Sequence, residues 1–280
     1  MRRKKVCFVG YGSTEYSRKS EESLLGQYAI AIRAALSQTG LKKKDINGLS
    51  VTTQASPDTA PHVAEQLGFE LDWVLNADYG GASGVGAVSR AADAIECGHL
   101  DIALLLAGNS FDRSVAHQRQ LEYQRGNFVD VYGYGGPNSL MALIQRLHME
   151  NFGTTLEQVG KIAVAQRFNA INNPQALFRE PMSMTDYLNS RMISDPVRLF
   201  DCVMPCSGAE CIILASEEKA KQLTDKLVYL VTDAEKIHYQ VANMLPEKTT
   251  FGMKLVGEKI FSEVKREDID LFEIYDDYPI

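Results

Sequence analysis

Short, unbroken apolar runs alternate with segments of helical spacing in the first part of the chain, and this alternation constrains the fold most. Runs of about four to eight apolar residues that end at a turn signal predict buried strands, and here they cover residues 5–10, 46–53, 74–78 and 102–107. Apolar residues at helical spacing predict helices between them, over residues 21–36, 60–67 and 87–97. Such alternation is typical of helices that cover both faces of a mostly parallel sheet. The sequence therefore predicts the α/β class.

The rhythm changes after this first α/β half, which we place at residues 1–110. Residues 111–196 carry turns and helical segments (139–151, 155–172 and 184–191) and predict a helical insertion. Residues 197–224 return to the first half with a strand and a helix. Residues 225–280 begin a second α/β half with a strand at 227–232, a helix at 253–264 and a strand at 271–274. These elements are too few to cover a sheet, so we expect the second half to be incomplete, through truncation or completion by another chain.

Composition narrows the possible settings. The 280 residues carry a net charge of −7, which argues against nucleic acid as the main partner. The basic start is followed by no apolar segment long enough for a signal peptide or a membrane span, so a cytoplasmic location is expected. Five cysteines without paired spacing then indicate reduced thiols. No His-x-x-x-His or Cys-x-x-Cys spacing is present, so no metal site and no bound cofactor are expected.

Two stretches resemble the thiolase superfamily, specifically its sterol-carrier-protein or lipid-transfer-protein branch. Residues 151–220 begin with NFGTT, continue through ISDPVRLFDC and end with SGAECIILAS, which is similar to that branch almost element by element. Residues 79–108 are similar to its reactive turn, long helix and following strand. The resemblance implies two α/β halves stacked as α/β/α/β/α layers, a helical loop region over the active site and a homodimer. It also implies acyl-CoA substrates, with coenzyme A as part of the substrate.

The reactive turn of the family reads Cys-Ala-Ser/Thr-Gly at the start of a helix, where the dipole and free N–H groups favour a thiolate. The matching residues here are Gly81, Ala82, Ser83 and Gly84, so a glycine occupies the place of the nucleophile. We expect Ser83 to cap the helix rather than replace the cysteine. The backbone from Gly80 to Ser83 is predicted to hold a thioester or enolate oxygen. Close helix–sheet packing is an equally good explanation of the glycines.

The end of the chain holds the candidate acid–base groups. Residues 273–280 read EIYDDYPI and are similar to a family turn that reaches toward the active site. Tyr275, Asp277 and Tyr278 are therefore candidate general acids and bases. An exposed acidic turn with tyrosines packed beneath it is the alternative. Candidate residues for an acyl or CoA tunnel are Tyr132, Tyr134 and Cys206.

Three functions compete. Some members of the resembling branch lack the cysteine and cleave acyl-CoA side chains by a retro-aldol reaction, beside an OB-fold/zinc-ribbon partner protein. This lyase chemistry, in lipid, steroid side-chain or fatty-acyl metabolism, needs a base and oxyanion support but no thiolate. Acetyltransferase-type acyl transfer is the second function, which Gly81 contradicts. A non-catalytic acyl-CoA-binding or scaffold subunit is the third.

Overall fold

The computed structural model describes residues 5–52, 58–111, 136–237, 252–275 and 277–280. The chain forms two compact units. The first unit comprises residues 1–111 and 206–235, and the second comprises residues 112–205 and 236–280. The sequence-based boundaries at residues 110, 196 and 224 remain a prediction.

A six-stranded sheet forms the centre of the first unit. Its strands are β1 (Val6–Ser13), β2 (Gly48–Thr52), β3 (Trp73–Ala77), β4 (Ile102–Asn109), β7 (Gly208–Ser216) and β8 (Val228–Leu230). Their order across the sheet is β3-β2-β4-β7-β1-β8. The pairs β2–β3 and β2–β4 are parallel, whereas β4–β7, β1–β7 and β1–β8 are antiparallel. The α/β class is confirmed, but the expectation of a mostly parallel sheet is wrong. An unbroken apolar run marks a strand buried on both faces and does not fix its direction.

Helices cover both faces of this sheet. They are α1 (Leu24–Thr39), α2 (Ala60–Leu67), α3 (Ser83–Glu96) and α7 (Glu217–Leu223). Residues of α1, α2 and α7 share one apolar cluster with the fully buried Leu104 and Ile213, whereas α3 packs on the other face with Leu105 and Leu214. Each fully buried Leu or Ile contributes about 1.5–3 kcal/mol. The N-terminus of α3 therefore lies on the opposite face of the sheet from α1, α2 and α7.

Close packing between β1 and α1 depends on glycine. A Cβ atom built on Gly12 would lie 2.2 Å from the Ala31 carbonyl oxygen and 2.5 Å from the Ala35 nitrogen. Helix α1 begins at a capping serine, since the Ser23 hydroxyl accepts a hydrogen bond from the Gly26 N–H at 3.1 Å. The capping serine and the close-packed glycine therefore both favour the observed placement of α1 on β1.

The second unit is mainly helical in its described residues. It contains α4 (Pro137–Phe152), α5 (Leu156–Ile171), α6 (Met184–Leu188), the hairpin strands β5 (Met192–Ser194) and β6 (Val197–Arg198), and α8 (Met253–Ile260). The three predicted helices of the insertion are present, with shifted ends. The predicted strand at 271–274 is wrong. Leu271 is 76% exposed, and no described strand pairs with this segment, because an apolar run forms a strand only where a ladder partner is available.

A buried hydrogen-bonded pair holds this helical region together. The Tyr187 hydroxyl donates to Asp201 Oδ1 at 2.9 Å, and Asp201 also accepts from the Arg198 N–H at 2.7 Å. A Cβ atom on Gly160 of α5 would lie 2.4 Å from the Tyr187 ring, so α5 packs directly on that ring. None of the helices in the described parts of the chain is long and apolar enough to cross a membrane.

Candidate functional site

The turn that leads into α3 is fixed by the hydroxyl of Ser83. That hydroxyl donates to the Gly80 carbonyl oxygen at 2.6 Å and accepts from the Tyr79 N–H at 2.9 Å. Gly80 adopts φ +64°, in the left-handed region that favours glycine. Ser83 is buried, and it is the first residue of α3 rather than its cap, so the capping expectation is wrong. Its hydroxyl holds the preceding turn, because the tight turn at Gly80 brings two backbone groups within reach.

The ring of Tyr79 lies against the first turns of α3. A Cβ atom built on Gly86 would lie 2.6 Å from Tyr79 Cδ2, and the Arg90 guanidinium lies 5.8 Å from the ring centroid. Arg90 in turn pairs with Glu235 at 2.8 Å. The turn before α3 is therefore fixed both by the hydrogen bonds of Ser83 and by the packing of the Tyr79 ring.

Bare backbone is exposed at the N-terminus of α3. No side chain caps the helix, and Gly81, Ala82 and Gly84 are exposed. A Cβ atom on Gly84 would meet nothing within 4 Å. The first turn of a helix leaves its N–H groups without intrahelical partners and concentrates the positive end of the dipole. This backbone is therefore suited to an oxygen that carries developing negative charge.

None of the five cysteines offers a thiolate at the N-terminus of α3. Cys97 follows the last residue of α3, at the opposite end of the helix. Burial raises the pKa of Cys211 to about 12 and of Cys202 to about 11, and it also raises the pKa of Cys7 and Cys206. These four are therefore protonated at neutral pH. Cys97 is exposed, whereas Cys7 and Cys211 are buried.

The predicted acid–base residues separate into an inward and an outward group, all within the second unit. Tyr278 is only 7% exposed and packs with Ala142 and Val197, and its hydroxyl donates to Asn138 Oδ1. The same oxygen accepts from the Cys202 thiol at 3.6 Å. Burial raises the pKa of Tyr278 above its ordinary value, so the phenol stays protonated at neutral pH.

Tyr275 and Asp277 form the outward group. Tyr275 is 69% exposed, and its hydroxyl donates to Asp277 Oδ1 at 3.2 Å. The structure therefore joins Tyr275 to Asp277, while Tyr278 bonds to a different element. Tyr132, Tyr134 and Asp276 lie outside the described residues.

Cys206 is described, in the first unit. It is partly buried just before Ser207, whose hydroxyl accepts from the Phe111 N–H at 2.9 Å. Its role in a tunnel remains a prediction.

Sequence reasoning missed Asn138 and Glu210. Asn138 is the second residue of α4, and its contact with Tyr278 spans 140 positions of sequence, so no local pattern reveals it. Glu210 had a signal, since it is a charged residue within the apolar strand β7. Among the described residues, no group of three or more His, Cys, Asp or Glu side chains could hold a metal ion.

Comparison with known proteins gives relatives over nearly the whole chain. No protein-family model matches. A steroid side-chain-cleaving aldolase from Thermomonospora curvata is 28% identical, with 98% of this chain and 74% of the relative covered. A 17-hydroxy-3-oxo-4-pregnene-20-carboxyl-CoA lyase from Mycobacterium tuberculosis is 29% identical, with 98% and 75% covered.

Superposition on solved structures confirms the thiolase-like fold. The structure of the Ltp2-ChsH2(DUF35) aldolase superposes with a TM-score of 0.84 at 27% identity, with 98% of this chain and 74% of that chain covered. A monomeric SCP2-thiolase-like protein from Mycobacterium smegmatis superposes with a TM-score of 0.71 at 18% identity, with 98% and 60% covered, and supports the fold alone. The chain is similar over nearly its whole length to proteins of the thiolase superfamily. These similarities are consistent with the sterol-carrier-protein-like branch that the sequence resemblance predicted.

The similarity to the thiolase superfamily suggests a function for the N-terminus of α3. By the sequence resemblance, Gly81 stands where that superfamily has its reactive cysteine. The structure places Gly81 just before α3, and Gly81 is exposed. Cys97 lies at the opposite end of the same helix. By that resemblance, the chain keeps the helix end and has no sulfur at the position where the superfamily forms its acyl-enzyme.

Proposed function

We propose that this chain cleaves a carbon–carbon bond of a β-hydroxyacyl-CoA thioester by a retro-aldol reaction. The observation that carries the proposal is the exposed helix end at Gly81, which offers backbone N–H groups and no nucleophile. The two relatives are named as an aldolase and as a CoA lyase, and both match 98% of this chain. Lyase chemistry is accordingly favoured over acyl transfer.

The reaction needs no external reactant. A base removes the proton of the β-hydroxyl group, and that carbon becomes a carbonyl. The bond between the α and β carbons breaks, and its electron pair moves to the thioester as an enolate. Hydrogen bonds from preorganised backbone N–H groups stabilise such an oxyanion, and loss of one donor typically costs about 100- to 1,000-fold in rate. The enolate carbon then takes up a proton, so the products are a ketone or aldehyde and a shortened acyl-CoA.

Of the predicted backbone from Gly80 to Ser83, we propose that the N–H groups of Gly80, Gly81 and Ala82 hold the enolate oxygen, because the Ser83 N–H donates to the Gly80 carbonyl oxygen at 3.1 Å. The hydroxyl of Ser83 does not take part, because both of its hydrogen bonds go to the turn.

The residues near the end of the chain are proposed to exchange protons. Tyr278 is proposed as the proton donor: its hydroxyl carries a proton, and Asn138 Oδ1 accepts that hydrogen bond in this structure. Asp277 is a carboxylate that accepts from Tyr275 and is suited to receive one. Each assignment is tested by a separate substitution, with Tyr275→Phe, Asp277→Asn and Tyr278→Phe.

The names of similar proteins suggest an acyl group and a partner protein. We propose a lipid or steroid side-chain as the acyl group, since the aldolase relative is named for a steroid side chain. An OB-fold/zinc-ribbon partner is proposed, since the similar aldolase of known structure is named with a second component, ChsH2(DUF35). A homodimer and a cytoplasmic location are proposed as well.

The test supplies the purified chain with β-hydroxyacyl-CoA or with β-ketoacyl-CoA plus free CoA, each with and without the co-purifying partner. Cleavage of the hydroxyacyl substrate to a carbonyl product and a shortened acyl-CoA is expected, without thiolysis of the keto substrate. Thiolysis would establish acyl transfer instead. Binding of CoA with turnover of neither substrate by the complete assembly would establish a non-catalytic subunit.

A further inference from the structure

Strand β7 carries one charged residue among small and apolar ones. Its sequence is GAECIILAS, and Glu210 is the only ionisable carboxylate in it. Successive side chains of a strand alternate between faces, so Glu210 shares a face with Leu214, which packs in the cluster with α3. Burying a carboxylate on such a face is unfavourable, and burial raises the pKa of Glu210 above its usual range. A residue kept there against that cost is a candidate for function.

A tyrosine is placed to hold this carboxylate. The Tyr16 hydroxyl donates to Glu210 Oε1. A Cβ atom on Gly208 would lie 2.4 Å from Tyr16 Cδ1, so the ring lies on the bare backbone of Gly208. Gly208 and Glu210 are two residues apart on the same face of β7, and the ring therefore spans the distance between them. The glycine makes the room, and the glutamate receives the hydrogen bond.

The cluster lies at the edge of the sheet where α3 begins. Glu210 pairs with Ala107, and Gly208 pairs with Asn109, the last residue of β4. Strands β2, β3 and β4 are parallel, so their carboxyl ends share this edge, and α3 begins in the turn after β3. Ligands of open α/β sheets bind at the carboxyl ends of the strands. Glu210 therefore shares both the edge and the face of the sheet with the helix that carries the backbone N–H groups.

Within the described parts of the chain, few other titratable groups face Glu210. Tyr11 on β1 also hydrogen-bonds to it, and Cys211 is its neighbour on β7. The cross-strand partners of Glu210 are Ala107 on β4 and Ser13 on β1, and the described buried residues of α3 are Ser, Ala and Ile. A carboxylate offers about four lone-pair sites, so two tyrosine donors leave acceptor capacity. Tyr11 is 45% exposed, and the cluster therefore reaches the surface of the first unit.

We propose that Glu210, positioned by Tyr16, is the base that accepts the hydroxyl proton of a β-hydroxyacyl-CoA thioester. This inference rests on the proposed function and deepens it. As the proton moves to the carboxylate, the bond between the α and β carbons breaks, and its electron pair forms the thioester enolate. Glu210 is regenerated when its proton passes to the enolate carbon or to solvent. No electrons are exchanged with any other reactant.

Turnover distinguishes Glu210 from the other candidate carboxylate. Glu210→Gln is expected to lower kcat by about 100-fold or more, the usual contribution of a general base, while KM changes little. Asp277→Asn, at the alternative base, is expected to lower kcat less than Glu210→Gln does, and the exposed Glu218→Gln is the control with unchanged kinetics. Tyr16→Phe removes a hydrogen bond that favours the ionised carboxylate, so the acid limb of the kcat/KM profile is expected to move to higher pH. A Glu210→Gln protein with wild-type kcat, and a Tyr16→Phe protein with an unmoved limb, would overturn the proposal.

A binding measurement separates this inference from the function on which it rests. The wild-type chain is expected to bind a β-hydroxyacyl-CoA more tightly than the acyl-CoA that lacks the hydroxyl, and Glu210→Ala is expected to remove that preference. If the preference depends on Glu210 but no cleavage occurs, the lyase function fails and the contact stands. If cleavage occurs and both the preference and kcat survive in Glu210→Ala, the lyase function stands and the role of Glu210 fails.

Discussion

Replacing Gly86 with alanine tests whether Tyr79 and the start of α3 are packed as described. The new Cβ would lie 2.6 Å from Tyr79 Cδ2 and 3.0 Å from Cε2, so the ring must move. The ring cannot move freely, because the Tyr79 N–H is bonded to Ser83 and the ring lies beside Arg90. Overpacking of this kind costs about 1–3 kcal/mol. Alanine favours a helix over glycine by about 1 kcal/mol, which offsets part of that cost.

Gly84→Ala is the matched control in the same helix. Its Cβ would meet nothing within 4 Å, so only the propensity gain applies, and the free energy of unfolding is expected to stay level or rise by up to about 1 kcal/mol. Urea unfolding of both variants gives the comparison, with kcat/KM for the hydroxyacyl substrate as the second readout. Gly86→Ala is expected to be less stable than Gly84→Ala. Equal stability of the two variants would refute the packing of Tyr79 on α3.

Three further predictions concern buried polar groups. Tyr187→Phe removes a hydrogen bond to the buried Asp201, so urea unfolding is expected to show a loss of about 1–3 kcal/mol; an unchanged midpoint would contradict this. The pKa of Glu210 is raised by burial, so its ionisation destabilises the folded state as pH rises through the interval between its unfolded and folded pKa. Glu210→Gln is therefore expected to be more stable than wild type at pH 7 and to lose this advantage near pH 3, and a gap independent of pH would speak against it. Tyr278→Phe is expected to reduce cleavage more than Tyr275→Phe does, because the buried Tyr278 is the proposed proton donor; the reverse order in kcat would exclude that role.

Local patterns predicted most elements of the first unit. The helix at residues 60–67 has the predicted bounds, because Thr59 caps it and Gly68 ends it in the left-handed region. Helix α3 begins at Ser83 rather than at residue 87, since Gly84 and Gly86 belong to the helix instead of the turn. Glycine has low helix propensity, but packing against Tyr79 requires one of these glycines.

Contacts between distant parts of the sequence could not be predicted. The antiparallel entry of β7 between β1 and β4 depends on the path of the chain and not on the strand's own residues. Asn138 meets Tyr278, and Tyr16 meets Glu210, across 140 and 194 positions of sequence. Sequence located the glycine at the start of α3, whereas the partners of the buried polar groups emerge only when the strands and helices are assembled.

The central claim is that this thiolase-like chain works through a helix N-terminus that carries no nucleophile. The mass of the intact protein, recorded during turnover of a β-hydroxyacyl-CoA, tests that claim most directly. The account predicts that carbonyl product and shortened acyl-CoA accumulate while the protein mass stays unchanged. A protein species heavier by one acyl group, with the adduct mapped to a cysteine, would contradict it.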